Sequence, residues 1–144
     1  IIDSTLSVPF FVDKKVAYYT GIFHGQFTNT ALDSSQYINI GNRWAVRGFD
    51  EQSTLAAERG FFFRNEIQLP INSQQSIYYG LDIGSVLGLN QTLGEQKTLA
   101  GIAIGLRGTL FASIHYDVFA AAPIYQPQAL KSSPTAGFNL KRFF

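Results

Sequence analysis

The sequence predicts an all-β chain, the strands of a transmembrane antiparallel β-barrel, and three observations carry that prediction. From Gln75 onward apolar side chains alternate with small or polar ones, over segments of about ten residues, which is the weak period-two signal of membrane strands. No stretch holds the roughly 18 to 20 continuous apolar residues of a membrane helix, because Gly, Asn, Gln, Ser and charges interrupt every run. Charged residues make up 15% of the chain and aromatics another 15%, whereas soluble domains carry about 25% charge. Something other than water is expected to face part of this surface. A closed barrel meets that demand because it pairs every backbone N–H and C=O between strands.

Taken in order, Ile1 to Phe10 reads as the end of a strand. Lys15 to Phe27 is a second, whose inward face is ambiguous because both of its registers carry aromatics. Phe61 to Leu69 is a third. In Ser76 to Leu87 one face carries Ile77, Tyr79, Leu81, Ile83 and Leu87, and the other carries Ser76, Tyr78, Gly80, Asp82 and Gly84. Next, Ala100, Ile102, Ile104 and Leu106 oppose Gly101, Ala103, Gly105 and Arg107. Gly108 and Thr109 are expected as a short turn, after which Leu110, Ala112, Ile114, Tyr116 and Val118 oppose Phe111, Ser113, His115, Asp117 and Phe119. Finally, Ala136, Phe138, Leu140 and Phe144 share a face against Gly137, Asn139 and Lys141. The pattern is a meander of hairpins. About seven strands result, and since single-chain bacterial barrels normally have an even number, the chain is expected to be a piece of a larger barrel. Its first residue, Ile1, agrees with a fragment.

Composition also narrows function. The chain has no cysteine and a formal net charge of +1. Disulfides and thiolate chemistry are excluded, and without a basic cluster no nucleic-acid partner is expected. Any export signal would lie upstream of Ile1. His24 and His115 are the only histidines, and neither has a second ligand at metal-site spacing, so no metal or cofactor is assigned. Asp117 lies near His115, but no serine motif completes a triad, so no enzyme is expected. Phe61, Phe63, Tyr79 and Tyr116 read as lipid-facing or interface aromatics.

Between the strands ending near Thr28 and beginning near Arg59 lies a connection of about thirty residues, far beyond a hairpin loop. Its aromatics, glycines and paired charges argue for a functional loop. It reads Gln36-Tyr37-Ile38-Asn39-Ile40-Gly41-Asn42-Arg43-Trp44-Ala45-Val46-Arg47-Gly48-Phe49-Asp50 and continues into Glu58-Arg59-Gly60-Phe61-Phe62-Phe63-Arg64-Asn65-Glu66. These segments resemble the two-partner secretion transporters, the family of the haemolysin-activator and filamentous-haemagglutinin transporters. That family's pattern runs roughly G-G-R-Y-S-V-R-G-F/Y-D and then E-R-G-W/Y-x-x-R-N-E. Tyr79-Gly80-Leu81-Asp82-Ile83-Gly84 is similar to its F/G-x-D-x-G strand motif, so the resemblance spans nearly the whole chain. Asn42 and Trp44 depart from the pattern, which usually has Gly and Tyr or Phe there.

The resemblance implies the C-terminal part, residues 1–144, of a sixteen-stranded outer-membrane barrel in a Gram-negative bacterium, with a lid loop at about residues 29–58 folded into the lumen. It also implies that Arg47, in the motif Val46, Arg47, Gly48 and Phe49, pairs with Asp82. Elementary physics agrees, since a guanidinium inside a barrel must find an acceptor. Gly80 and Gly84 clear the wall on either side of Asp82. Glu58, Arg59, Arg64 and Glu66 are expected to be lumen-facing charges that neutralise one another. Phe138, Leu140 and the terminal Phe144 resemble the signal that the barrel-assembly machinery reads. The expected activity is translocation of a secreted exoprotein through the outer-membrane lipid, with no chemistry. An assembly factor of the same superfamily, a passive porin and a soluble β-sandwich are the alternatives. A sandwich would show polar outward faces, and the outward rows here are Ile, Leu, Tyr and Val.

Overall fold

The structure is a computed structural model that describes residues 1–50 and 52–144. In chain order the strands are β1 (Ile2–Val12), β2 (Lys15–Gln26), β3 (Ile38–Ile40), β4 (Leu55–Ala57), β5 (Arg59–Pro70), β6 (Gln75–Leu87), β7 (Lys97–Leu110), β8 (Ile114–Tyr125) and β9 (Thr135–Arg142). Seven of them build one antiparallel sheet in the order β1-β2-β5-β6-β7-β8-β9, and β3 pairs with β4 in a small ribbon of its own. Neighbours in sequence are therefore neighbours in the sheet, except where the ribbon and its loop intervene between β2 and β5.

Two of the hairpins turn on residues other than glycine. Asp13 and Lys14 have φ of 47° and 65°, and Phe111 and Ala112 have 51° and 60°. Positive φ at both central positions is the type I′ geometry that matches the strands' own twist. The second turn corrects the sequence reading, because Gly108 and Thr109 lie inside β7, opposite Tyr116 and His115. Moving the turn to Phe111 and Ala112 lengthens the ladder to Leu110↔Ile114, and Ser113 N–H closes it on the Leu110 carbonyl at 3.3 Å. An L-residue in this conformation costs about 1–2 kcal/mol. Ala112→Gly is therefore expected to raise stability by up to about 1 kcal/mol, read as a higher urea midpoint of the full-length protein.

Directly paired residues in an antiparallel ladder share a face, so the registers assign every side chain. One face carries Gly60, Phe62, Arg64, Glu66 and Gln68 of β5, then Tyr78, Gly80, Asp82, Gly84 and Val86 of β6. It continues with Leu99, Gly101, Ala103, Gly105 and Arg107 of β7 and Asp117 and Phe119 of β8. The loop lies on this face. The other presents Ile67, Tyr79, Leu81, Ile83, Ile102, Ile104 and Val118, all exposed. The ambiguity in β2 resolves because His24 stacks on Phe62 with ring centroids 5.3 Å apart, whereas Phe23 stacks on Phe61 at 6.2 Å. Even-numbered residues of β2 thus face the loop side.

The largest buried apolar cluster lies between loop and wall. Ile38, Ile40, Ala45, Val46, Phe49 and Ala57 come from the loop and its ribbon, Val86 and Leu99 from the sheet. An apolar core made by a loop on one face, with apolar rows exposed on the other, reverses the usual order of a soluble sheet.

Candidate functional site

The segment from Phe27 to Glu58 is anchored at its base and bent at its tip. Its base is the β3–β4 ribbon, in register Ile38↔Ala57 and Ile40↔Leu55. At the tip Gly41 takes φ +89°, and the Asn42 side-chain oxygen accepts from the N–H groups of Trp44 and Ala45, each at 2.9 Å. An Asn side chain mimics a backbone turn in this way, which accounts for Asn at this motif position. The turn delivers Val46 to Phe49 onto the wall. Gly48 has φ +103°, and a Cβ there would stand 2.5 Å from the Ala122 carbonyl oxygen. Both facts demand glycine.

Arg47 and Asp82 meet. Arg47 Nε donates to Asp82 Oδ2 at 2.6 Å and Nη2 to Oδ1 at 2.8 Å, while the Arg47 backbone N–H also reaches Oδ2 at 3.1 Å. This is the bidentate fork that makes arginine–carboxylate pairs strong, with backbone and side chain of one residue gripping one carboxylate. Arg47 is 5% exposed and Asp82 1%. Burial pushes the guanidinium's pKa down, but the hydrogen bonds and charges of Asp82 and Glu66 outweigh it and the net shift is upward. Arg47 therefore keeps its charge at every relevant pH. Gly80 is needed for the guanidinium to lie flat on the wall, since a Cβ there would overlap Nη2. Gly84 clears the neighbouring space for Val46, whose Cγ2 would be 2.9 Å from an added Cβ.

The clasp has a second half. Arg47 Nη1 donates to Glu66 Oε2 at 2.7 Å, and Nη2 also reaches the Asn65 carbonyl at 3.3 Å. Glu66 Oε1 accepts from Arg107 at 2.6 Å. Arg107 lies 3.9 Å over the Tyr78 ring and 3.6 Å from Asp117, and Asp117 accepts from the Tyr78 hydroxyl at 2.7 Å. Charges therefore alternate along a chain from Asp82 through Arg47, Glu66 and Arg107 to Asp117. Arg107, Asp117 and Tyr78 were not singled out from sequence as site residues. The signal for them was Arg107↔Asp117 pairing across the β7–β8 turn, which the misplaced turn concealed. Gly101 was missed too: a Cβ there would overlap the Arg47 carbonyl oxygen.

The sequence family described as haemolysin secretion/activation protein ShlB/FhaC/HecB matches residues 1–108. The chain belongs to this family. Outer membrane transporter CdiB-2 of Burkholderia pseudomallei (strain 1026b) is 38% identical over 149 residues, covering all of this chain and 26% of that protein. Outer membrane transporter CdiB of Dickeya dadantii (strain 3937) is 32% identical over 93 residues, covering 61% of this chain and 16% of its own length. Among solved structures, CdiB from Acinetobacter baumannii aligns over 96% of this chain with a TM-score of 0.86 at 29% identity. This chain spans 26% of that structure. The seven-stranded sheet is therefore a part of a larger β-barrel.

In this chain the other predicted residues are placed as follows. Arg64 is on the loop face and donates to the Trp44 carbonyl at 2.9 Å. Glu58 accepts from the Tyr37 hydroxyl at 3.1 Å and the Leu89 N–H at 3.2 Å, tying the loop base to the β6–β7 connection. Its own backbone N–H first, then those two donors, hold its carboxyl below the usual range. Arg59 pairs with Leu87 in the register, on the face opposite to Arg64 and Glu66, and its guanidinium donates to the Leu89 carbonyl at 2.9 Å. The expectation that Glu58, Arg59, Arg64 and Glu66 neutralise one another is therefore corrected. Glu66 serves Arg47 and Arg107, and both arginines of the motif bind backbone carbonyls. The reason is period two, which separates Arg59 from Arg64 across the sheet. Phe138 and Leu140 face outward on β9, but the strand ends at Arg142 and Phe144 lies beyond it, fully exposed. Phe144 thus does not share a strand face with them.

Proposed function

We propose that this chain forms the gated part of an outer-membrane pore in a Gram-negative bacterium that translocates a secreted exoprotein, of haemolysin, adhesin or contact-dependent toxin type, to the cell surface. The lid is the loop at residues 29–58, and the clasp is Arg47 on Asp82. One observation carries this reading: a loop arginine of a secretion-family chain is buried against the wall by two carboxylates. A passive porin gives such a clasp no role. The exposed row of Ile, Leu, Tyr and Val is the surface that outer-membrane lipid covers. Phe138, Leu140 and Phe144 are offered to the barrel-assembly machinery during biogenesis.

The apolar cluster refines how such a lid would move. Ile38 and Ile40 of the ribbon are buried, and burying each contributes roughly 1.5–3 kcal/mol. Removing one partner of a buried ion pair costs roughly 3–5 kcal/mol. The two terms are comparable, so releasing the ion pair alone does not eject the whole loop. The tip, 41–50, is the part that moves, and the β3–β4 ribbon stays as its hinge.

The test is secretion of the cognate exoprotein by the full-length transporter carrying Arg47→Ala, with barrel folding checked by heat-modifiable gel mobility. Impaired secretion by a folded barrel is expected. Undiminished secretion would remove the lid's clasp from the mechanism, and a full-length protein that stays monodisperse in detergent-free buffer would remove the membrane pore.

A further inference from the structure

Release of the loop would disturb the charge chain at one point only. Glu66 keeps Arg107 when Arg47 leaves, at 2.6 Å, and Asp117 keeps both Arg107 and the Tyr78 hydroxyl. Asp82 alone loses its cation, because Arg47 occupies both of its oxygens. Opposite Asp82 in the β5–β6 ladder stands Arg64, its direct Cα partner on the same face. Direct partners in an antiparallel pair have Cβ atoms about 4.5–5.5 Å apart, well within reach of a guanidinium. Yet among the described residues Arg64 has no carboxylate partner. Its Nη1 donates to the Trp44 carbonyl at 2.9 Å, and its Nε is buried with no acceptor. Trp44 belongs to the tip, three residues before Arg47.

We propose that Arg64 is the replacement counter-ion of Asp82. This rests on the lid reading above. Docked, the tip supplies Asp82 with Arg47 and diverts Arg64 onto the Trp44 carbonyl. When the tip withdraws, one movement removes the cation from Asp82 and the acceptor from Arg64, and the two wall residues pair across the ladder. An arginine cannot shed its charge and forks onto a carboxylate through two parallel N–H groups. The exchange leaves neither group unpaired in the open lumen. It also makes the returning tip compete with Arg64 for Asp82, so Arg64 is a positioning residue that sets how long the pore stays open.

Single-channel recording of the full-length transporter in planar bilayers tests this, with Arg47→Ala, Arg64→Gln, Arg64→Lys and Asp82→Asn. Arg64→Gln is expected to shorten open dwell times by about tenfold, the worth of a hydrogen-bonded charge pair. Arg64→Lys should recover part of the loss, since an ammonium still pairs with a carboxylate. In the Asp82→Asn background Arg64→Gln should change dwell times little, because no carboxylate remains to claim. A structure of full-length Arg47→Ala should show the Arg64 guanidinium on the Asp82 carboxylate. Longer openings with Arg64→Gln would mean that Arg64 only latches Trp44 and would overturn the exchange, as would equal shortening with and without the Asp82 carboxylate. An open fraction unchanged by Arg47→Ala would instead defeat the lid reading itself, and the exchange with it.

Discussion

Asp82→Ala in the full-length protein is expected to shift the loop from docked to undocked by about a hundredfold, the lower end of the roughly 3–5 kcal/mol that an orphaned buried charge costs. The lower end is expected because Arg47 keeps Glu66 at 2.7 Å and the Asn65 carbonyl at 3.3 Å after Asp82 is gone. Arg47→Ala removes both halves of the grip together and should shift the equilibrium further. The exchange Arg47→Asp with Asp82→Arg should restore part of what each single change loses, and only part. The introduced carboxylate would face Glu66, and the introduced guanidinium would stand opposite Arg64 in the ladder. A double-mutant cycle on open fraction in planar bilayers isolates the pairwise coupling, which single alanine changes mix with the cost of stranding the partner. Single changes whose effects simply add would refute a direct Arg47–Asp82 coupling.

Part of this site was legible before any coordinates. The alternation in Ser76 to Leu87 placed Asp82 between two glycines on one face, and the family resemblance of the loop motif implied Arg47 as its partner. Period two is reliable for β6 and β7 because both faces are marked: small residues and Asp82 on one, Ile, Leu and Tyr on the other. In β2 both registers carry aromatics, and the choice depended on which ring meets Phe62, a tertiary fact. The β7–β8 turn was misread because glycine is the default expectation where φ is positive, and here Phe111 and Ala112 accept the strained conformation instead. That three-residue displacement hid the Arg107↔Asp117 pair. The role of Glu66 was hidden for another reason. Its nearest charged neighbour in sequence is Arg64, but its partners come from the loop and from β7, and neither connection is written in local spacing.

Gly101 offers the sharpest separation of shape from charge. It lies on β7 directly opposite Asp82 in the ladder, and the Arg47 carbonyl oxygen occupies the place where its side chain would begin. Backbone approaches this close only where a Cβ is missing, and the obstruction is main chain that cannot swing aside as a side-chain tip does. Gly101→Val should therefore keep the tip from seating, although Arg47, Asp82 and Glu66 are all still present. Overpacking of this kind typically costs about 1–3 kcal/mol, or roughly 5- to 150-fold in the docked population. Strand β7 itself should tolerate the change, since valine favours strands, and heat-modifiable mobility should stay that of a folded barrel. The expected result is a transporter that is open more often in planar bilayers, with its charge network chemically intact. Adding Arg47→Ala to Gly101→Val should then do little more, because a tip that cannot seat gains nothing from its clasp. Full additivity of the two changes would show that Arg47 acts somewhere other than at the wall beside Gly101.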